Sequence, residues 1–86
     1  MAQVTIYTWT VCPYCVRAKS LLKSKGVDYN EINLDGKDDE LKKLQERTKW
    51  RTVPQIFIGD EFIGGYVDLA ELETRGELDQ LLAKNS

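Results

Sequence analysis

The apolar positions at the start of the chain change from alternation to a helical period. Residues 3–9 alternate, with Val4 and Ile6 on one side, which predicts a strand. Residues 13–25 place apolar side chains three or four positions apart, which predicts a helix that ends at Gly26. The apolar face of this helix comprises Tyr14, Cys15, Ala18, Leu21 and Leu22.

The middle of the chain predicts two further strands with a charged helix between them. Residues 28–34 predict the second strand, and a strand–helix–strand order favours a parallel pair with a right-handed connection. Residues 38–49 predict a helix that is anchored mainly by Leu41 and Leu44 and is otherwise exposed on one side. Residues 55–58 predict the third strand.

A hairpin and a broken helix are predicted for the rest of the chain. Gly59-Asp60 is a hairpin signal that leads to an antiparallel strand over residues 61–63, and Gly64-Gly65 ends that strand. Asp68 is predicted to be the N-cap of a helix, with Glu71 completing a capping box. The apolar positions that follow are Leu69, Leu72, Leu78, Leu81 and Leu82.

The predicted element order is therefore β-α-β-α-β-β-α, with the final helical segment broken at Gly76. This order is typical of an α/β protein with about four strands. A chain of 86 residues is too short for two cores, so residues 1–86 are expected to form a single domain.

Composition and charge narrow the function classes. The chain is 42% apolar and 30% charged, and no apolar run approaches the roughly 20 residues that cross a bilayer. Residues 1–11 lack the basic and apolar regions of a signal peptide. With 12 Lys and Arg against 14 Asp and Glu, the net charge is −2, which disfavours phosphate-driven binding. We therefore expect neither a membrane nor a nucleic acid as a partner.

The candidate chemistry lies in two cysteines, because the chain contains no histidine for Cys–His or Ser–His–Asp catalysis. The cysteines form the motif Cys12-Pro13-Tyr14-Cys15. A disulfide that closes a loop of four residues stabilises the folded protein by only about 2 kcal/mol, which disfavours a purely structural role. Two cysteines also cannot complete a four-ligand zinc site within one chain. A reversible redox pair explains the spacing best, with metal or cluster ligation and inert thiols as alternatives.

The predicted helix assigns different roles to the two thiols. Pro13 suits the first helical turn, so Cys12 is expected at the helix N-terminus, where the dipole favours the thiolate. The dipole alone lowers a thiol pKa by at most about 1.5 units, from about 8.5 to near 7. Cys15, one turn further on the apolar face, is expected to be buried and less acidic. Cys12 is thus the predicted nucleophile and Cys15 the predicted resolving thiol.

Three motifs together give the chain a resemblance to a known family. They are Cys12-Pro13-Tyr14-Cys15, Thr52-Val53-Pro54 and Gly64-Gly65 leading to Asp68. Over nearly its whole length the chain resembles the dithiol glutaredoxins of bacterial type, in the thioredoxin superfamily. The resemblance implies the thioredoxin/glutaredoxin fold, in which helices flank both faces of a four-stranded mixed sheet.

A glutathione-dependent thiol–disulfide oxidoreductase is the function that the resemblance implies. Cys12 would attack protein disulfides and glutathione mixed disulfides, and Cys15 would resolve mixed disulfides with proteins. Glutathione would be the reducing co-substrate, glutathione reductase and NADPH would recycle it, and no bound metal is expected. The protein is expected to be a monomer. It is expected in the cytoplasm, because a chain with two thiols and no signal peptide suits a reducing compartment.

The resemblance also implies a glutathione site. A cis peptide before Pro54 would turn the Val53 backbone toward an extended ligand, and Gly65 would let a ligand approach closely. Asp68 would bind the γ-glutamyl end of glutathione, and Val67 would offer only its backbone. The predicted binding residues are Tyr14, Arg51, Thr52, Val53, Pro54, Gly65, Val67 and Asp68.

Two positions depart from the family pattern. Trp9 stands where many members carry Lys, and Leu41 where several carry Gln or Arg. Both departures weaken the anchor for the glycine carboxylate of glutathione. We hypothesise that Arg51, together with Lys42, takes this role, because arginine suits bidentate carboxylate binding. Trp9 is expected to form a surface platform beside the active site.

Two alternative functions stay open. In one, two chains and two glutathiones share a [2Fe–2S] cluster through thiolate ligands, an arrangement that Pro13 disfavours within the family. In the other, a redoxin is reduced by thioredoxin reductase instead of glutathione. The colour of the purified protein tests the first alternative, and the reductase that couples to NADPH oxidation tests the second.

Overall fold

The computed structural model describes residues 2–84, and their helices and strands follow the predicted order. The elements are β1 (Val4–Thr8), α1 (Pro13–Ser24), β2 (Tyr29–Asn33), α2 (Asp38–Thr48), β3 (Gln55–Ile58), β4 (Glu61–Gly64), α3 (Tyr66–Thr74) and α4 (Leu78–Lys84). Most predicted boundaries agree to within one or two residues. Among the described residues, no helix is both long enough and apolar enough to cross a membrane.

One mixed sheet contains all four of these strands, in the order β2-β1-β3-β4. Strand β1 is parallel to β2, with Val4 opposite Tyr29, and antiparallel to β3, with Val4 opposite Ile58. Strands β3 and β4 are antiparallel and are joined at Gly59-Asp60. The predicted parallel pair and the predicted hairpin are both confirmed.

The alternation of side chains along β1 and β3 separates two apolar layers, one on each face of the sheet. On one face, Val4, Ile6, Ile56 and Ile58 pack against apolar side chains of α1, α3 and α4. On the other face, Phe57 packs against α2. The α2 residues that meet this second face are Leu41 and Leu44. Helices therefore flank both faces of the sheet.

Helix α1 buries a narrower face than its pattern predicts. Cys15, Ala18 and Leu22 are buried, whereas Tyr14 is 53% exposed. The Tyr14 ring stacks on the ring of Tyr66, with centroids 6.2 Å apart. Placing Tyr14 on the buried face was therefore wrong, because its ring packs toward the start of α3 rather than toward the sheet.

Candidate functional site

Cys12 is the N-cap of α1, and its sulfur lies where the helix presents backbone donors. Its backbone is extended, with φ −153° and ψ 96°, and Pro13 opens the helix. The backbone N–H of Cys15 points at Cys12 Sγ, with 3.1 Å between nitrogen and sulfur. An N–H donor at a helix N-terminus stabilises negative charge, so the helix places a donor where a Cys12 thiolate would need one.

The two cysteines form a disulfide and differ in burial. Their Cα atoms are 5.2 Å apart, and no other cysteine is present in the chain. Cys12 is 8% exposed, whereas Cys15 is 1% exposed. Cys12 is therefore the more accessible of the two residues, and an accessible thiol is the one that can exchange with a large partner. The roles of nucleophile for Cys12 and resolving thiol for Cys15 stay a prediction.

A cis peptide bond joins Val53 to Pro54, close to the sulfur of Cys12. Cys12 Sγ lies 3.8 Å from the carbonyl oxygen of Val53. The Val53 side chain is buried with Cys12, while Thr52 is exposed. The loop before β3 therefore brings one backbone carbonyl close to the sulfur. The cis bond is the one that the resemblance to glutaredoxins implies, and the pairing of the Val53 backbone with a ligand stays a prediction.

The turn between β4 and α3 is fixed by the carboxylate of Asp68, which bonds to the backbone three residues before it. Gly65, not Asp68, is the N-cap of α3, and Asp68 occupies the third helical position. Asp68 Oδ2 accepts a hydrogen bond from the backbone N–H of Gly65, at 3.0 Å. The predicted N-cap was therefore wrong by three residues, because Gly65 takes the extended conformation that starts the helix and Asp68 bonds back to it.

Gly64 is required at this turn. Its φ is +119°, a conformation that favours glycine. A Cβ added there would lie 2.5 Å from Asp68 Oδ2, whereas a Cβ on Gly65 would meet its nearest atom, the oxygen of Pro54, at 3.5 Å. A side chain is thus less readily accommodated at Gly64 than at Gly65, although Gly65 is the glycine predicted to face a ligand.

A groove of about 140 Å³ collects most of the predicted binding residues. We call it the Pro54 groove. Arg51 is not among its lining residues; it lines another groove, with Lys42 and Lys49. The structure thus brings Arg51 and Lys42 together, but outside the Pro54 groove, and their role as a carboxylate anchor stays a hypothesis. The predicted residues that line the Pro54 groove are Tyr14, Thr52, Val53, Pro54, Gly65, Val67 and Asp68.

Two further residues of the Pro54 groove were not selected from the sequence as binding residues. Trp50 and Tyr66 both line it. The Trp50 ring packs edge-on against Phe62, with centroids 5.8 Å apart, and its buried Nε1 has no hydrogen-bond partner among the described residues. Proximity to Thr52-Val53-Pro54 was the only sequence signal for Trp50, and no periodicity marked either aromatic residue.

A hydrogen-bond network fixes the chain where it leaves β1 toward Cys12. Thr8 is fully buried, and its hydroxyl donates to Glu31 Oε2 at 2.7 Å. Lys19 Nζ lies 3.0 Å from the same oxygen. The Thr8 hydrogen bond chiefly, and Lys19 in addition, lower the pKa of Glu31. The network joins β1, β2 and α1 just below the reactive segment.

Within residues 2–84, no three or more Cys, Asp or Glu side chains come together in a group suited to a metal ion. The chemistry that this site offers is thiol–disulfide exchange at Cys12, with an adjacent groove that presents backbone groups and one carboxylate.

Comparisons of the sequence with known proteins agree on one family. The family model described as Glutaredoxin matches residues 4–63. A glutaredoxin of Pseudomonas aeruginosa is 51% identical over 83 residues, which cover 96% of this chain and 99% of that protein. Glutaredoxin 3 of Escherichia coli K12 is 51% identical over 82 residues, which cover 95% of this chain and 99% of that protein.

Solved structures of glutaredoxins share the fold. The crystal structure of a buckwheat glutaredoxin–glutathione complex has a TM-score of 0.91 at 34% identity, covering 94% of this chain and 76% of that one. The solution structure of glutaredoxin from Brucella melitensis has a TM-score of 0.88 at 46% identity, covering 100% of this chain and 94% of that one.

Proposed function

Because the chain belongs to the glutaredoxin family, we propose that it is a glutathione-dependent thiol–disulfide oxidoreductase. Its substrates are protein disulfides and mixed disulfides of proteins with glutathione. The observation that carries the proposal is the position of Cys12 Sγ, at a helix N-terminus and 3.8 Å from the Val53 carbonyl beside the Pro54 groove.

The first step is attack by the Cys12 thiolate on one sulfur of the substrate disulfide. A bond forms between Cys12 Sγ and that sulfur, the substrate S–S bond breaks, and the second substrate sulfur leaves as a thiolate. The N–H of Cys15 stabilises the attacking thiolate without needing a general base, which suits a chain that contains no histidine.

The second step depends on the substrate. With a protein mixed disulfide, the Cys15 thiol attacks Cys12 Sγ, its proton passes to the departing thiolate, and two electrons move from the cysteine pair to the substrate. With a glutathione mixed disulfide, the attack of Cys12 releases the protein thiol and leaves glutathione on Cys12. A second glutathione then releases oxidised glutathione, which glutathione reductase and NADPH reduce.

Glutathione binding is assigned to the Pro54 groove, which supports it with groups of the right kind. The Val53 backbone pairs with the cysteinyl unit, and the Asp68 carboxylate attracts the γ-glutamyl ammonium while it keeps its bond to Gly65. Tyr14, Thr52 and Pro54 form the walls of the groove. Gly65 allows the peptide to approach, the Val67 backbone pairs with it, and Arg51 attracts a glutathione carboxylate.

Glutathione-supported turnover of a glutathionylated peptide tests the proposal, with glutathione reductase and NADPH as the readout. Cys12→Ser is expected to reduce turnover to background, because the nucleophile is lost. Cys15→Ser, the matched single-thiol variant, is expected to retain turnover, since glutathione itself performs the second step. Circular dichroism verifies that both variants fold.

Loss of turnover in folded Cys15→Ser protein would contradict the glutathione cycle and favour a dithiol reductase that acts only on protein disulfides. Replacing glutathione and its reductase with thioredoxin reductase is expected to abolish NADPH oxidation. A brown colour with [2Fe–2S] absorbance in fresh protein would instead favour the cluster-carrying alternative. The proposed setting is a monomer in the cytoplasm, where a glutathione pool keeps the thiol pair reduced.

A further inference from the structure

Large apolar side chains are exposed mainly around the reactive cysteine. Among the described residues, the exposed large apolar side chains include Trp9 at 37% and Val11 at 88%. Both precede Cys12 by only a few positions, whereas Tyr14 and Val67 belong to the Pro54 groove. Exposed apolar surface concentrated in one area marks an interaction site rather than scattered surface residues.

Trp9 and Val11 line a second groove, of about 420 Å³, which we call the Trp9 groove. Its other walls come from the turn after β2 and the first part of α2. Buried Leu34 lines this groove and also belongs to the apolar cluster that contains Cys12, so the groove adjoins the reactive segment. The lining of the Trp9 groove includes Trp9, Val11, Leu34, Asp35, Asp38 and Leu41.

The charge of the Trp9 groove is negative. Within the described residues, its lining contains the carboxylates of Asp35 and Asp38 and no lysine or arginine. Asp35 Oδ1 accepts a hydrogen bond from the backbone N–H of Thr10, at 3.1 Å, and hydrogen bonding by Thr10 lowers the pKa of Asp35. The Asp35 carboxylate is therefore held in place and ionised beside the segment that leads to Cys12.

We propose that the Trp9 groove is a docking subsite for a disulfide-bearing protein segment that carries Lys or Arg close to its reacting cysteine. In this subsite the partly exposed indole ring of Trp9 contacts the cation, and Asp35 and Asp38 supply opposite charge. Val11 and Leu41 contact the apolar stem of the Lys or Arg side chain. This proposal rests on the function proposed above, since the docked disulfide is the one that Cys12 attacks.

Charge distinguishes this occupant from glutathione. Glutathione brings two carboxylates and one ammonium group, so a groove with two carboxylates repels the tripeptide more than it attracts it. A cationic protein segment gains from both carboxylates and from the indole ring. The same groove thus favours one class of protein disulfide and leaves glutathione to the Pro54 groove.

Rapid-mixing measurements on prereduced protein without glutathione test the proposal. The probes are two cyclic disulfide peptides that differ only in having Arg or Glu beside the attacked cysteine. Each reaction oxidises the Cys12–Cys15 pair by two electrons and reduces one peptide disulfide. At low salt we expect the Arg peptide to react about fivefold faster than the Glu peptide, because Asp35 and Asp38 attract the Arg side chain and repel the Glu side chain across the protein surface. This difference in rate should shrink as salt is added.

The double variant Asp35→Asn/Asp38→Asn is expected to reduce this preference to about twofold or less. Asparagine at position 35 keeps an oxygen that accepts the Thr10 N–H, so the loop is retained. Asp28→Asn/Asp60→Asn is the matched control: it removes the same charge at the far end of the sheet, beside Tyr29 and the β3–β4 turn. It is expected to keep the preference. Should the first double variant misfold, Asp38→Asn alone carries the same comparison.

A Trp9→Leu variant tests the aromatic part of the subsite. It keeps an apolar side chain but removes the indole face, so it is expected to slow the Arg peptide more than the Glu peptide. Equal rates for both peptides with the unchanged protein, or an equal loss of preference in the control double variant, would overturn the proposal. If the preference is present but glutathione supports no turnover, the docking subsite stands and the glutathione-dependent function fails.

Discussion

The Pro54 groove and the Trp9 groove both adjoin the Cys12 segment, yet they are built by different means. The Pro54 groove depends on backbone, because Gly64 has a φ that favours glycine and the Gly65 N–H is held by Asp68. The Trp9 groove depends on side chains, chiefly an exposed indole ring and two carboxylates. Backbone groups recognise any peptide main chain, whereas side chains recognise particular partners. We therefore expect the Pro54 groove to bind peptides in general and the Trp9 groove to select among them.

Gly64→Ala should have the largest effect, and it tests whether the Pro54 groove depends on backbone. The substitution combines an unfavourable positive φ with a Cβ placed 2.5 Å from Asp68 Oδ2, so we expect a loss of about 2–4 kcal/mol in the free energy of unfolding. Urea denaturation measures this. Gly36→Ala is the control: its φ is +72°, but no atom lies within 4 Å of the added Cβ, so a loss of only about 1 kcal/mol is expected. Equal losses would refute the packing argument.

Asp68→Asn separates the charge of Asp68 from its hydrogen bond. Asparagine still accepts the Gly65 N–H, so the free energy of unfolding is expected to change by less than about 0.5 kcal/mol. Loss of the charge next to the γ-glutamyl ammonium should raise the KM for the glutathione mixed disulfide about tenfold, with kcat little changed. Steady-state kinetics measure both constants. An unchanged KM would remove Asp68 from the proposed glutathione site.

Arg51→Ala tests whether a residue outside the Pro54 groove supports glutathione. Because Arg51 is exposed beside Lys42, the expected rise in the KM for glutathione is only about two- to fivefold, and it should diminish with added salt. Arg75→Ala, which removes an exposed cation from the end of α3, is the control. If Arg51→Ala leaves the KM unchanged, the carboxylate-anchoring hypothesis is wrong.

Glu31→Gln has the smallest expected effect and concerns the segment that leads from β1 to Cys12. In the folded protein the pKa of Glu31 lies below its ordinary value near 4.5. The ionised carboxylate therefore adds to the free energy of unfolding above pH 4.5, and this stabilisation is lost as the pH falls through the folded pKa. Solvent screening limits the contribution to a few tenths of a kcal/mol. The free energy of unfolding should fall less between pH 7 and pH 3 in Glu31→Gln than in Glu40→Gln. Glu40→Gln is the control, because it removes an exposed carboxylate from α2. Identical pH profiles would contradict this.

Much of the fold was predictable because its signals are local. The alternation of Val4 and Ile6 predicted β1, the Gly59-Asp60 signal predicted the hairpin, and Pro13 predicted the start of α1. The same local logic placed Cys12 at a helix N-terminus and buried Cys15. Local logic failed at Tyr14, whose ring stacks on Tyr66 from a distant helix, and at Asp68, which caps from inside α3.

The sequence by itself determined the element order, the redox pair and the residue types near it, because periodicity, turn residues and helix ends act over a few positions. Only the tertiary structure decided that Trp50 and Tyr66 join the Pro54 groove, that Arg51 lines another groove, and that Trp9 lines a groove with Asp35 and Asp38. These contacts join segments from separate elements. Their geometry is fixed by how helices pack on the sheet, which short-range patterns do not encode.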